Sequence, residues 1–260
     1  MINPEIISSV PKLRNPKGNP KFRLFFGPFI FPLRRSCARA HYRLMHIFTR
    51  RNFLGQSLKF TPLFASPGLM AEQLILTPPQ TPGPFYPDKL PLDTDNDLVI
   101  INDSLTPSVG KITYLGGKVT DLKGNPIRHA TVELWQVDGN GIYLHSRGGS
   151  RQKQDVNFQG YGRFMTDSKG RYFFRTIKPN EYPGRTPHFH MAVSAKGKRK
   201  FSTQCYVEGE PKNKTDGILN RIRDKKARDS LIVPFKPVPG SKLGELAGNF
   251  DIVLGWTPED

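Results

Sequence analysis

From residue 110 onward, short runs rich in β-branched and aromatic residues alternate with clusters of turn-forming residues, and this rhythm constrains the fold more than any other feature of the chain. Ile112–Val119, Thr131–Gln136, Arg171–Ile177, His188–Ser194, Phe201–Glu208 and Asn249–Leu254 read as strands. Between them stand Asp121–Pro126 (DLKGNP), Asp138–Gly141 (DGNG), Asp167–Gly170 (DSKG) and Lys196–Lys198 (KGK), where Gly and Asn supply the positive φ that tight turns require. The spacing predicts an all-β, two-sheet β-sandwich over residues 111–260. At most one short helix is expected, near Asp216–Arg228, where no clean apolar face is visible. Pro at 78, 79, 82, 84, 87 and 91 predicts that residues 72–110 form an extended Pro-rich N-terminal arm lying across the domain rather than a core element.

A length of 260 residues with 37% hydrophobic content is enough to bury the core of such a domain. The formal net charge of +17 is unevenly spread: residues 1–51 hold 11 Lys/Arg against Glu5 alone, and residues 71–260 hold 27 against 21 Asp/Glu. The basic clusters at 196–200 (KGKRK) and 221–228 (RIRDKKAR) accompany no zinc-finger, helix-turn-helix or RNP pattern. They read as solvated faces, and no nucleic-acid partner is expected. Residues 1–71 read as a basic leader. Its apolar stretch Leu24–Leu33 is broken by Pro28 and Pro32 and is too short to cross a bilayer as a helix. Arg50–Arg51, followed by Asn-Phe-Leu and a mildly apolar run to Ala71, resembles a twin-arginine export signal with Met45 as its start. The expectation is export to a periplasm, with no stable membrane span in the mature form. A cytoplasmic protein with a disordered basic tail is the alternative.

Cys37 and Cys205 are the only cysteines, and Cys37 belongs to the leader, so the body has neither an internal disulfide nor a cysteine-rich metal site. A bound metal would have to rest on His, Tyr or carboxylates. Residues 182–190 read Tyr-Pro-Gly-Arg-Thr-Pro-His-Phe-His. Alternate side chains of a strand share a face, so His188 and His190 would project together while Phe189, Met191 and Val193 face the core. Two imidazoles beside a Pro/Gly turn can hold one metal ion or line a polar groove, and spacing alone does not decide between these. No Asp or Glu stands at a ligand spacing from the pair, which leaves Tyr143 and Tyr182 as candidates, although each taken singly also suits a packing role. A phenolate is a hard anionic donor suited to iron(III), and a trivalent cation is what would hold it deprotonated near neutral pH. His129 and His145 lie near turns and are expected to be exposed.

The segments TPGPFYP (81–87), GGKVTDLKGNPIRHATVELWQVDGNGIY (116–143), GRFMTDSKGRYFFRTIKPNEYP (162–183) and RTPHFH (185–190) resemble the intradiol ring-cleavage dioxygenases, above all the protocatechuate 3,4-dioxygenase β-subunit type. Gly-x-Tyr at 141–143, Lys-Pro-x-x-Tyr-Pro at 178–183 and the His-x-His carry most of the specificity. The resemblance implies one non-haem iron(III), Fe(3+), per chain. It makes Tyr143 the equatorial and Tyr182 the axial tyrosinate, His188 an equatorial and His190 the axial imidazole. It also implies that Arg185 lies against the bound ring and that Gln204 lines the same pocket. Tyr182 would be the ligand that leaves when a catechol binds through both oxygens. The implied reaction is intradiol (ortho) cleavage of a catechol-type substrate by O2 to a cis,cis-muconate-type product. Tyr86, in the arm, is expected either to close over the pocket or to serve as a structural aromatic.

The segment between Tyr182 and His188 is shorter than in the well-known protocatechuate and catechol enzymes, which predicts a more open pocket. No stretch before the sandwich reads as a helical dimerisation domain. A homo- or hetero-oligomer remains in keeping with relatives that borrow pocket walls from a partner chain. Two alternatives stand beside this reading. GGKVTDLKGNPIRHATVELW with TDSKGRYFF also resembles metal-free transthyretin-like and carboxypeptidase-regulatory-like modules, and an inactive family member would share the same motifs.

Overall fold

The computed structural model describes residues 74–102 and 104–256. The expected leader, with the expected export signal and its start at Met45, lies outside the described residues. Ten strands, in two mixed sheets, organise the described part. In the first sheet the long strand β1 (Ile112–Asp121) is paired antiparallel by β4 (Arg171–Ile177). It is paired in parallel by β9 (Leu246–Asn249) and then by β10 (Ile252–Leu254), while β8 (Lys236–Pro237) flanks β9. The second sheet runs in the order β3 (Tyr161–Met165), β2 (Thr131–Trp135), β5 (His188–Ser194), β6 (Phe201–Val207) and β7 (Ile232–Val233). Its pairs are antiparallel except β6–β7. This is the expected all-β sandwich.

The core lies between the sheets. Val132 and Leu134 of β2 and Phe189, Met191 and Val193 of β5 meet Leu115 and Phe174 of the opposing sheet in one fully buried cluster. Each such side chain contributes about 1.5–3 kcal/mol through its burial. From His188 to Val193, β5 is buried on both faces, so something must also cover its outer side. That cover is the extended chain of residues 77–88, held by Thr203 Oγ1 donating to the Pro78 carbonyl (2.8 Å) and by the Gln80 amide donating to the Ser202 carbonyl (2.9 Å).

The structure departs from the sequence reading in several strands and in the arm. β3, β7 and β8 lie outside the expected runs: Tyr161-Gly-Arg-Phe-Met lacks a clean alternation and its strand character comes from pairing with β2, and the two-residue β7 and β8 are too short for a period to show. The run expected at Asn249–Leu254 holds β10 (Ile252–Leu254) and only the last residue of β9 (Leu246–Asn249), and between the two the Phe250 amide donates to the Gly116 carbonyl (2.8 Å). The one short helix expected near Asp216–Arg228 is present as the five-residue α1 (Lys225–Asp229), capped by the Asp224 side chain and preceded by a 3-10 turn, Leu219–Arg221. Finally, the arm does enter the core. Leu98 and Val99 are fully buried, and Asp97 pins this stretch to Arg175 of β4 at 2.9 Å. Among the described residues no helix is long and apolar enough to cross a membrane.

Candidate metal centre

The strand register places the site. On the outer face of the second sheet His190 lies between Trp135 of β2 and Gln204 of β6, and His188 lies opposite Tyr206. The Trp135 and His190 rings stack, 5.0 Å apart and 6° from parallel. His188 Nδ1 is 2.6 Å from the Thr186 carbonyl, so the proton sits on Nδ1 and the Nε2 lone pair points outward. The two Nε2 atoms are 3.2 Å apart, the separation of neighbouring donors on one ion whose imidazole bonds run about 2.0–2.1 Å. His190 Nδ1 is buried without a hydrogen-bond partner among the described residues.

Tyr143 arrives from the turn after β2. Asp138 Oδ1 accepts from the Asn140 and Ile142 amides and closes that turn. A Cβ on Gly141 would lie 3.0 Å from the Glu181 carbonyl, so the glycine, at φ +78°, lets the turn press against the chain leading into Tyr182. The Tyr143 hydroxyl thereby reaches 3.4 Å from His188 Nε2. The Tyr182 ring lies 5.4 Å from Tyr143 and 5.7 Å from His188. The short segment expected after Tyr182 is a tight turn: Pro183 and Gly184 (φ +80°) occupy its centre and the Arg185 amide donates to the Tyr182 carbonyl (3.0 Å). It leaves Tyr182 half-buried while Tyr143 is buried.

Burial, then the Arg185 guanidinium, holds the His188 imidazole down at about 3, and burial with the neighbouring His188 pushes His190 well below its usual range. Burial, then Tyr182, drives the Tyr143 phenol well above 10. In the protein alone these groups are neutral, and none of the four donors is a carboxylate. Two imidazole nitrogens and two phenol oxygens gathered in this way can hold a cation, whose charge would oppose the effect of burial on the Tyr143 phenol.

The sequence-predicted residues come together. Arg185 donates through Nη2 to Gln204 Oε1 (2.5 Å) and through Nη1 to the Tyr182 hydroxyl (3.4 Å), while Gln204 Nε2 donates to the Thr81 carbonyl (3.0 Å). Tyr86 is not over the pocket. Its hydroxyl donates to Glu133 Oε1 (2.5 Å) and its ring meets the face of Trp135 edge-on, whereas the neighbouring Phe85 stacks on Tyr143 at 5.0 Å. His129 is exposed and His145 only partly so, edge-on to Phe85. Sequence reasoning did not single out Phe85, Glu133, Trp135, Tyr206 or Asp216. Tyr206 could have been found from alternation, two residues after Gln204 on the same face.

A family model described as Dioxygenase matches residues 81–255. The protocatechuate 3,4-dioxygenase beta chain of Burkholderia cepacia is 37% identical over 155 residues, 56% of this chain and 65% of that one. Hydroxyquinol 1,2-dioxygenase of Corynebacterium glutamicum is 30% identical over 200 residues, 66% of this chain and 61% of that one. The chain thus spans less than two thirds of the length of these relatives. The dioxygenase domain of a dioxygenase and carbohydrate-binding protein fusion from Streptomyces sp. SirexAA-E has a TM-score of 0.53 at 28% identity, covering 69% of this chain and 98% of that one. An intradiol ring-cleavage dioxygenase from Tetranychus urticae has a TM-score of 0.55 at 21% identity over 72% of this chain and 98% of its own, which bears on the fold alone.

Proposed function

The chain belongs to the intradiol ring-cleavage dioxygenase family, and on that premise we propose that it cleaves a catechol-type aromatic between its two hydroxyl-bearing carbons, using one non-haem iron(III) held by Tyr143, Tyr182, His188 and His190. The observation that carries this reading is the meeting of the His188 and His190 Nε2 atoms at 3.2 Å, with the Tyr143 hydroxyl 3.4 Å from His188, in a buried site without a carboxylate donor. A hard trivalent ion suits phenolate oxygens. When bound, iron(III) supplies a Lewis acid that acidifies the catechol hydroxyls and activates the ring toward dioxygen, both of whose atoms enter the muconate-type product.

The chain's own residues do the rest. Tyr182, half-buried on its tight turn and reached by Arg185 Nη1 at 3.4 Å, would be the residue to take up a catechol proton at its hydroxyl oxygen. Arg185 presents a fixed positive charge beside Tyr182 and would steady the electron-rich ring. Phe85 and Tyr143 wall the pocket, and Trp135 shields the His190 ring from water. Pro183 and Gly184, at the centre of that turn, are exposed, in keeping with catechols that carry substituents.

The test is the purified protein reconstituted with iron. The expected results are a red-brown colour from tyrosinate-to-iron(III) charge transfer and oxygen consumption with at least one member of a catechol panel, giving a ring-opened dicarboxylate. A colourless protein after reconstitution would overturn the ligand set. A coloured protein inert toward the whole panel would overturn the activity and leave an inactive iron-binding family member.

A further inference from the structure

We propose that Asp216 is the positioning residue that fixes Arg185 against the catechol site. This rests on the reading above, in which Arg185 faces the bound ring. Asp216 sits in the segment between β6 and β7, just before the 3-10 turn Leu219–Arg221, and its side chain is fully buried. Its Oδ2 accepts from Arg185 Nε (2.8 Å) and from the Thr186 amide (3.1 Å), and its Oδ1 accepts from the Ile218 and Leu219 amides (3.0 Å each). Four donors leave the carboxylate no freedom to rotate, and their pull outweighs the opposing effect of burial and keeps it ionised.

The manner of attachment matters. Asp216 holds the guanidinium by its Nε edge, so both terminal nitrogens remain directed at the site: Nη2 at Gln204 and Tyr206, Nη1 at Tyr182. A two-pronged grip on the terminal nitrogens would have turned them away from the site. An arginine side chain otherwise has wide rotameric freedom, so the anchor at Nε decides where its charge points. Thr186 has a separate tie, its hydroxyl bonding the Asn213 side chain at 2.7 Å, so the chain leading to His188 does not depend on Asp216 alone. Asp216 therefore acts through Arg185 rather than through the metal donors.

The test is a double-mutant cycle on the iron-loaded enzyme with the best catechol of the panel. Asp216→Asn keeps the shape and one acceptor for the Ile218 and Leu219 amides but loses the charge facing Arg185. It is expected to lower kcat/KM on the order of 100-fold, mainly through kcat, with iron content and the visible tyrosinate band unchanged. In an Arg185→Ala background the same substitution should change kcat/KM less than about 3-fold, because the two residues act as a unit. An equal loss in both backgrounds, a wild-type kcat/KM for Asp216→Asn, or a lost tyrosinate band in that variant would each overturn the proposal. The Arg185 Nε–H resonance of gallium(III)-substituted wild-type protein, assigned by its disappearance in Arg185→Lys, provides a measurement independent of turnover and of variant folding. It should exchange slowly with solvent, and rapid exchange would overturn the proposal even if no catechol were ever turned over.

Discussion

The two faces of β5 are equally buried and chemically opposite. On the inner face Phe189, Met191 and Val193 have no exposed surface and belong to the apolar core cluster; on the outer face His188 and His190 are 2% and 1% exposed and lie among phenols, an indole and a guanidinium. The inner face stabilises by simple transfer from water. The outer face carries a burden, because Trp135 Nε1 and His190 Nδ1, which have no partner among the described residues, each cost about 1–3 kcal/mol of lost hydration. One strand thus divides the work: hydrocarbon on one side sustains an arrangement on the other that would not assemble for stability alone.

The division is open to direct attack, and the largest effect is expected on the outer face. His188→Ala should abolish the visible band and the turnover of the iron-loaded protein while the metal-free protein keeps its cooperative melt. Loss of the fold would mean that the outer face is structural after all. Phe189→Ala, one residue away, should do the reverse. It leaves a cavity against Phe235 and should cost about 3–5 kcal/mol in denaturant unfolding, with the tyrosinate band retained by the folded fraction. Gly83→Ala acts on the cover. At φ +70°, with a new Cβ 3.2 Å from His190 Cε1, it should cost about 1–2 kcal/mol and slow turnover with the iron still bound.

The inner face was the legible one. Alternation in His-Phe-His-Met-Ala-Val assigns Phe189, Met191 and Val193 to the core, and the same period brings His188 and His190 together on the other side. The outer face reads poorly because its burial is made by distant chain. Glu133 on β2 has the pattern of a solvent-facing strand residue, yet Tyr86, 47 positions away, Tyr161 and Lys200 settle on it and it is buried. Tyr143 and Tyr182 belong to turns, where no period marks a side chain's direction, so family resemblance rather than spacing connected them to the histidines. Asp216 lies in an irregular segment 31 residues from Arg185 and carries no local signal at all. Phe85 and Tyr86 are adjacent aromatics in an arm, and only the fold distinguishes the one on the pocket from the one turned to Glu133.

The smallest effect tests how the cover is fastened. Glu133 Oε1 accepts from the hydroxyls of Tyr86 (2.5 Å) and Tyr161 (2.8 Å), and Oε2 pairs with Lys200 Nζ (2.5 Å). Burial alone would raise the carboxyl, but Lys200 and the two hydroxyls outweigh it and hold it below the ordinary value of 4.5. A carboxyl whose value is lower in the folded than in the unfolded state adds stability that is fully present above the unfolded value and is lost as pH falls through the folded one. Lys200 is partly exposed, which screens its share of that effect. Glu133→Gln keeps the shape and removes the charge. In metal-free protein the difference in Tm between wild type and this variant should therefore be constant from neutral pH down to about 4.5 and shrink at more acid pH. The fluorescence of Trp135, against which Tyr86 packs, should change over the same interval before the β signal in circular dichroism is lost. If the Tm difference persisted unchanged through the acid range, the tyrosine hydrogen bonds rather than the charge would be holding the arm to the outer face.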